Sequence, residues 1–177
     1  MIAAARGAPP GAGGVLYLPH LSGATCPVVD PRSRGAFAGL RSATTRGDMV
    51  RAIFEGLDYQ FLEILRAVEG GLGITAERIV AVGGAVRNTF WMQNKADVVG
   101  LPIEAPEVEE ATPLGAAILA GIGVGLYADE QDAYEHVRRP GPVYEPDAAL
   151  AATYAKGFQA YQRLYPALRE MHGQMAD

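Results

Sequence analysis

ERIVAVGGAVRNTFWMQNKADVVGLPIEA, residues 77–105, decides how the chain is read. Residues 77–82 (ERIVAV) hold a β-branched apolar run, which predicts a buried strand. The run passes straight into Gly83 and Gly84. Asn88 is placed to cap a helix over about 89–99, and Gly100 with Pro102 closes it. Residues 101–105 (LPIEA) predict a second short strand. A Gly- and Ala-rich helix should follow to about Gly123, with Thr112 as its cap. Strand, helix, strand, helix over 77–123 is a parallel α/β unit.

Working outward, residues 1–14 (MIAAARGAPPGAGG) are small, Pro- and Gly-rich and without amphipathic period, so they read as a linker. Residues 15–18 predict a short strand stopped by Pro19, and residues 36–40 a second inside the turn-rich segment 19–47. A helix should begin near Thr45 or Asp48, with Thr44 or Thr45 as cap. Met49, Ile53, Leu57, Phe61, Leu62 and Leu65 form its apolar stripe, and Gly70, Gly71 and Gly73 end it. Asp147 opens a last helix with Leu150, Tyr154, Phe158, Tyr161 and Leu164 on one stripe. The uncharged stretch 112–128 is shorter than a membrane span and broken by glycines. It reads as a buried helix.

Composition bounds the function. The chain has 177 residues, 49% apolar and 20% charged, which allows a sizeable core. With 15 Lys and Arg against 20 Asp and Glu, the net charge of −5 argues against a nucleic-acid binder. A lone cysteine, Cys26, excludes an intrachain disulfide framework and reads as a small buried apolar residue. No basic segment with an adjoining apolar region opens the chain, so no signal peptide is expected. His20, His136 and His172 are far apart and lack metal-ligand spacing. Asp30, Asp48, Glu55 and Asp58 are candidate bases, but read as caps, turn residues or a solvated face. Glu107, Glu109 and Glu110 read as a solvated acidic run, and Trp91 as core.

VGGAVRN, residues 82–88, carries the chemistry. Backbone without Cβ atoms approaches a ligand closely, unpaired N–H groups at a helix start favour anions, and open parallel sheets bind ligands past the carboxyl ends of their strands. A glycine pair alone also serves as a plain tight turn. The segment is neither GxGxxG nor a P-loop.

Several separated segments together resemble the FGGY carbohydrate kinases: LPHLSG (18–23), DPRSRG (30–35), GAFAGL (35–40) followed after seven residues by DMVRAIFE (48–55), VGGAVRNTFWMQNKADVVGLP (82–102) and ATPLGAAILAG (111–121). The resemblance implies an α/β RNase H-like (actin-type ATPase) lobe, the C-terminal part of a two-lobe sugar kinase, lacking its first strands. It implies 1–14 as linker, 15–172 as the partial kinase C-terminal domain and 173–177 as tail. Gly83, Gly84, Ala85 and Asn88 form the implied nucleotide site: Gly84 and Asn88 match nucleotide-contacting positions, Gly83 and Ala85 shape the turn, and Ala85 replaces a third glycine. ATP and Mg2+ are the implied cofactors, with Mg2+ held mainly by the missing part. No catalytic residue is implied in this chain, because the resemblance places the catalytic Asp in the first lobe, together with the sugar-binding residues and an Asp-x-Gly-Thr phosphate turn that does not occur here. The implied partners are a sugar or polyol and an N-terminal kinase lobe, in the cytoplasm, with neither nucleic acid nor membrane. LPHLSG and DPRSRGAF favour a xylulokinase-like acceptor. The alternatives are a glycerol kinase-like member, or an inert nucleotide-binding fragment or split-kinase subunit. An incomplete lobe would expose a strand edge, so the chain is expected to be marginal, oligomeric or dependent on the remainder.

Overall fold

Residues 2–108 and 110–175 are described by a computed structural model. The elements are α1 (Ile2–Gly7), β1 (Leu16–Leu18), β2 (Ala36–Ala38), α2 (Arg46–Leu72), β3 (Ile79–Val80), α3 (Thr89–Val99), β4 (Ile103–Glu104), α4 (Ala111–Gly123), α5 (Glu130–Val137), β5 (Val143–Tyr144), α6 (Ala151–Tyr161) and α7 (Leu164–Gln174). β1 and β2 pair antiparallel, with Leu16 opposite Ala38. The second sheet has the order β3-β4-β5. β3 and β4 run parallel, Ile79 beside Ile103, and β5 closes the far side antiparallel. The expected parallel α/β unit is therefore present.

α2 begins where its cap dictates. The Thr45 hydroxyl accepts from the Asp48 N–H, and the Asp48 carboxylate accepts from the Thr45 N–H, a capping box. At the other end Gly73 takes φ +66°, and its N–H returns to the Glu69 carbonyl. The face α2 buries differs from the expected stripe. Leu62 is buried, but Met49, Ile53, Leu57, Phe61 and Leu65 are only half-buried. The fully buried face carries Arg51, Ala52, Glu55, Gly56, Asp58 and Tyr59. Gly56 is required there: any Cβ would run into the Tyr17 carbonyl of β1. Glu55 and Asp58, read as caps, turn residues or a solvated face, lie at 2% and 0% exposure. Charge alone does not mark a solvated face when neighbouring elements supply partners.

The main core gathers Leu18, Tyr59, Val98, Tyr154, Tyr161 and Leu164 between β1, α2, α3, α6 and α7. A smaller one joins Met92, Ala96 and Ile103 beneath β3.

Other readings are revised. Residues 1–14 hold α1 and a 3-10 turn at Ala12–Gly14 with Ala5 and Ala12 buried, so this segment packs rather than merely links. The uncharged stretch does form α4, but the helix starts at Ala111, after Glu110, and Thr112 does not cap it. Its face is not buried: Leu119 is largely exposed, as is Val124 just beyond the helix, and within α4 only Gly121 is buried. Among the described residues, no helix is long and apolar enough to cross a membrane. The strand at 77–82 narrows to β3 and is half-exposed. The last helix is two, broken at Gln162 and Arg163, after a 3-10 turn that Asp147 caps. α7 runs into the expected tail. α5 and β5 were not anticipated. Cys26 is exposed.

Candidate functional site

β3 leads into the loop through Ala81, whose N–H donates to the Glu104 carbonyl of β4 at 2.8 Å. Gly83 then takes φ +89° and ψ −174°, a conformation essentially reserved for glycine. A 3-10 turn over Gly84–Arg87 follows, closed by Val86 N–H to the Gly83 carbonyl and Asn88 N–H to the Ala85 carbonyl. Asn88 caps α3 as expected, its Oδ1 accepting from the Trp91 N–H at 3.2 Å. Gly100 at φ +74° ends that helix.

All four sequence-derived site residues thus sit on one loop between strand and helix. A Cβ built on Gly83 or Gly84 meets no atom within 4 Å, so the main chain here borders open space. Ala85 is exposed. Gly83 also lines a cleft of about 470 Å³ with Val86, Arg87, Ala105, Pro106, Glu107, Val108 and Pro142. The cleft lies past the carboxyl ends of β3 and β4, where a parallel sheet presents its ligand site. Gly84, Ala85 and Asn88 do not line it. Val86 and Arg87 lie inside the 82–88 segment marked from sequence, whereas Ala105, Pro106, Val108 and Pro142 had no site role there; the place of 105–108 directly after the second parallel strand is the signal that finds them. Glu107, read as part of a solvated run, lines the cleft, and Glu109 lies outside the described residues.

A buried polar network fixes α3, and hence the loop, against α2. The Asp58 carboxylate accepts from Trp91 Nε1 at 2.8 Å and Asn94 Nδ2 at 2.7 Å, and Lys95 Nζ lies 2.7 Å away. Next to it Arg51 Nε and Glu55 Oε1 pair at 2.8 Å. The same oxygen accepts from the Gly11 N–H, while Arg51 also donates to the Ala8 carbonyl and to the Tyr154 hydroxyl. Burial pushes the Asp58 carboxyl above its usual range, opposed chiefly by Lys95. Burial likewise raises Glu55, opposed chiefly by its bond from Arg51. These groups tie α2 to α3, to α6 and to the segment around Gly11.

The remaining candidates are structural. His20 is buried, its ring nitrogens 2.8 Å from Ser33 Oγ and 3.0 Å from Gln60 Oε1. Asp30 accepts from the Tyr165 hydroxyl and the Arg32 N–H, and the Tyr165 bond above all holds its carboxyl low. Asp48 is the capping-box carboxylate.

Comparison with known proteins gives this geometry a family. The C-terminal domain of the FGGY family of carbohydrate kinases matches residues 1–124. A glycerol kinase of Carboxydothermus hydrogenoformans is 37% identical over 164 residues, covering 91% of this chain and 32% of that protein. The ligand-bound xylulose kinase of Lactobacillus acidophilus superposes with a TM-score of 0.89 at 28% identity, over 98% of this chain and 35% of that one. Plasmodium falciparum glycerol kinase with ADP superposes with a TM-score of 0.72 at 29% identity, over 86% and 31%. The chain spans about a third of the length of these relatives. Its α/β fold is accordingly part of the actin-type kinase fold that the sequence led us to expect, and the chain belongs to the FGGY family of carbohydrate kinases, matching its C-terminal domain.

Proposed function

We propose that the chain supplies the nucleotide side of a cytoplasmic, ATP-dependent carbohydrate kinase that phosphorylates a sugar or polyol hydroxyl. The observation that carries the reading is the loop at 83–88, where Gly83 and Gly84, bare of Cβ atoms, border open space between the carboxyl end of a parallel strand and the start of a helix. Gly83, Gly84 and Ala85 would hold the nucleotide through their backbone, and Asn88 through its side-chain amide, whose Oδ1 already serves as the α3 cap. ATP, when bound, supplies the phosphoryl group. The loop's part is positioning, which phosphoryl transfer depends on. Mg2+, as the family resemblance implies, would be held by the phosphates and mainly by the part of the kinase outside this chain. No residue here is assigned as the base that accepts the hydroxyl proton.

For the acceptor, LPHLSG and DPRSRGAF, with the fit to a xylulose kinase at a TM-score of 0.89, favour a xylulose-type sugar. A glycerol-type acceptor is the second reading, favoured by the 37% identity to a glycerol kinase.

The test is reconstitution. The chain is co-expressed with the portion of the Lactobacillus xylulose kinase that it does not match, and separately with the unmatched portion of the Carboxydothermus glycerol kinase. ATP-dependent phosphorylation of D-xylulose by the first pair, or of glycerol by the second, is the expected result. Assembled pairs that phosphorylate neither acceptor would contradict the kinase reading.

A further inference from the structure

We infer that the cavity between α2, α6 and residues 9–16 is a binding site for a neutral polyhydroxyl ligand, a free sugar or sugar alcohol, held by the Glu55 carboxylate and the Tyr59 hydroxyl. None of its lining residues belongs to the loop at 83–88 or to the cleft beside it, so the site stands apart from the proposed nucleotide position.

Glu55 and Tyr59 lie four residues apart on α2, so they share one helix face. Both are buried, Tyr59 at 1% exposure, and both line the cavity. Glu55 Oε1 accepts from the Gly11 N–H at 2.9 Å and from Arg51 Nε at 2.8 Å, while its Oε2 accepts nothing from the described residues. The Tyr59 ring packs on Tyr154, Phe158 and Tyr161, but its hydroxyl has no hydrogen-bond partner among the described residues. No fully enclosed side-chain nitrogen or oxygen among those residues lacks a partner, so these two oxygens are not sealed in, and the cavity is what they open onto. The sequence makes room for the phenol: a Cβ at Gly157, inside α6, would run into its hydroxyl.

The chemistry of the pair selects the ligand. Oε2 of a carboxylate only accepts, whereas a phenol donates or accepts. Burial, and next the Glu55 charge, raises the Tyr59 pKa, so the phenol keeps its proton. Arg51 already balances the Glu55 charge, and Lys156 stands on the exposed side of the cavity. A cationic ligand would add to both of these cations, and an anionic one would meet the free carboxylate oxygen. Neutral hydroxyl groups do neither: one donates to Oε2 and its neighbour accepts from Tyr59. Pro9, Pro10 and Leu16 supply apolar wall for the C–H faces of such a ligand. The cavity holds about 440 Å³, within the range of about 300–1,000 Å³ usual for small-molecule sites.

The test titrates sorbitol, without ATP, into the isotopically labelled full chain, with putrescine and inorganic phosphate as charged controls. Sorbitol should give shifts that saturate in the millimolar range at Gly11, Glu55, Tyr59 and Gly157, and the controls none there. Tyr59→Phe should weaken sorbitol binding about fivefold or more, the loss of one hydrogen bond, while the thermal melt holds or rises because the hydroxyl has no protein partner to lose. Thr153→Trp places a large side chain in the cavity from an exposed position on α6, so it should abolish the shifts and leave the melt unchanged. Sorbitol shifts that lie elsewhere or do not saturate, shifts at these residues from putrescine or phosphate in its place, or sorbitol binding indifferent to both substitutions would each overturn the site. A Tyr59→Phe protein that melts lower with sorbitol binding intact would do so too, since the hydroxyl would then serve only the fold.

Discussion

Gly84→Asp is expected to weaken ATP binding by about 10- to 100-fold while leaving the thermal melt of the chain unchanged; that loss corresponds to about 1.4–2.8 kcal/mol. Two features make Gly84 the position to test. Its φ lies outside the left-handed range, so an L-residue enters without backbone strain. A Cβ there meets nothing within 4 Å, so the fold has no reason to respond. A carboxylate at that point would occupy the space assigned to the nucleotide and oppose the phosphate charge. Gly83 is a poorer probe, because its φ of +89° makes any other residue costly at about 1–3 kcal/mol whether or not nucleotide binds. Isothermal titration of ATP into the two proteins checks the expectation. Equal affinities would remove Gly84 from the site.

The largest stability effect is expected at Lys95. Its ammonium lies 2.7 Å from a carboxylate with no solvent exposure, so Lys95→Met leaves Asp58 charged, buried and without its cation. Removing one partner of a buried pair costs about 3–5 kcal/mol. The sign of the pH dependence follows from Asp58. Burial already raises its folded pKa above the unfolded value, and loss of Lys95 removes the chief opposing influence. A raised carboxylate pKa favours folding of the protonated form, so the stability difference between the proteins should narrow as pH falls through the elevated folded pKa of the variant. Urea unfolding at pH 5 and pH 8 reads both points; the deficit should be larger at pH 8. A deficit that stays below about 1 kcal/mol at both pH values would show that the pair is not the tie between α2 and α3.

How much of this was legible in the sequence depended on whether a signal was local. Thr45, Asn88, Gly73 and Gly100 govern turns within a few residues of themselves, so the ends of α2 and α3 could be read directly. The loop at 83–88 could be located for the same reason. Its cleft could not, because Pro106, Val108 and Pro142 reach it only through the pairing of β3, β4 and β5. The inward face of α2 defeated periodicity, since Arg51, Glu55 and Asp58 find partners on α3, α6 and the segment around Gly11, far away in sequence. α4 was misjudged from the opposite side. An apolar composition shows that a helix can be buried, not that these 177 residues supply its cover.

Titration of ATP into the isotopically labelled chain, followed by amide chemical shifts, tests the account most directly. The account predicts saturable shifts that are largest at Gly83, Gly84, Ala85 and Asn88, extending to Val86 and Val108 across the cleft. Saturable shifts confined to another surface, or no response at millimolar ATP, would contradict it.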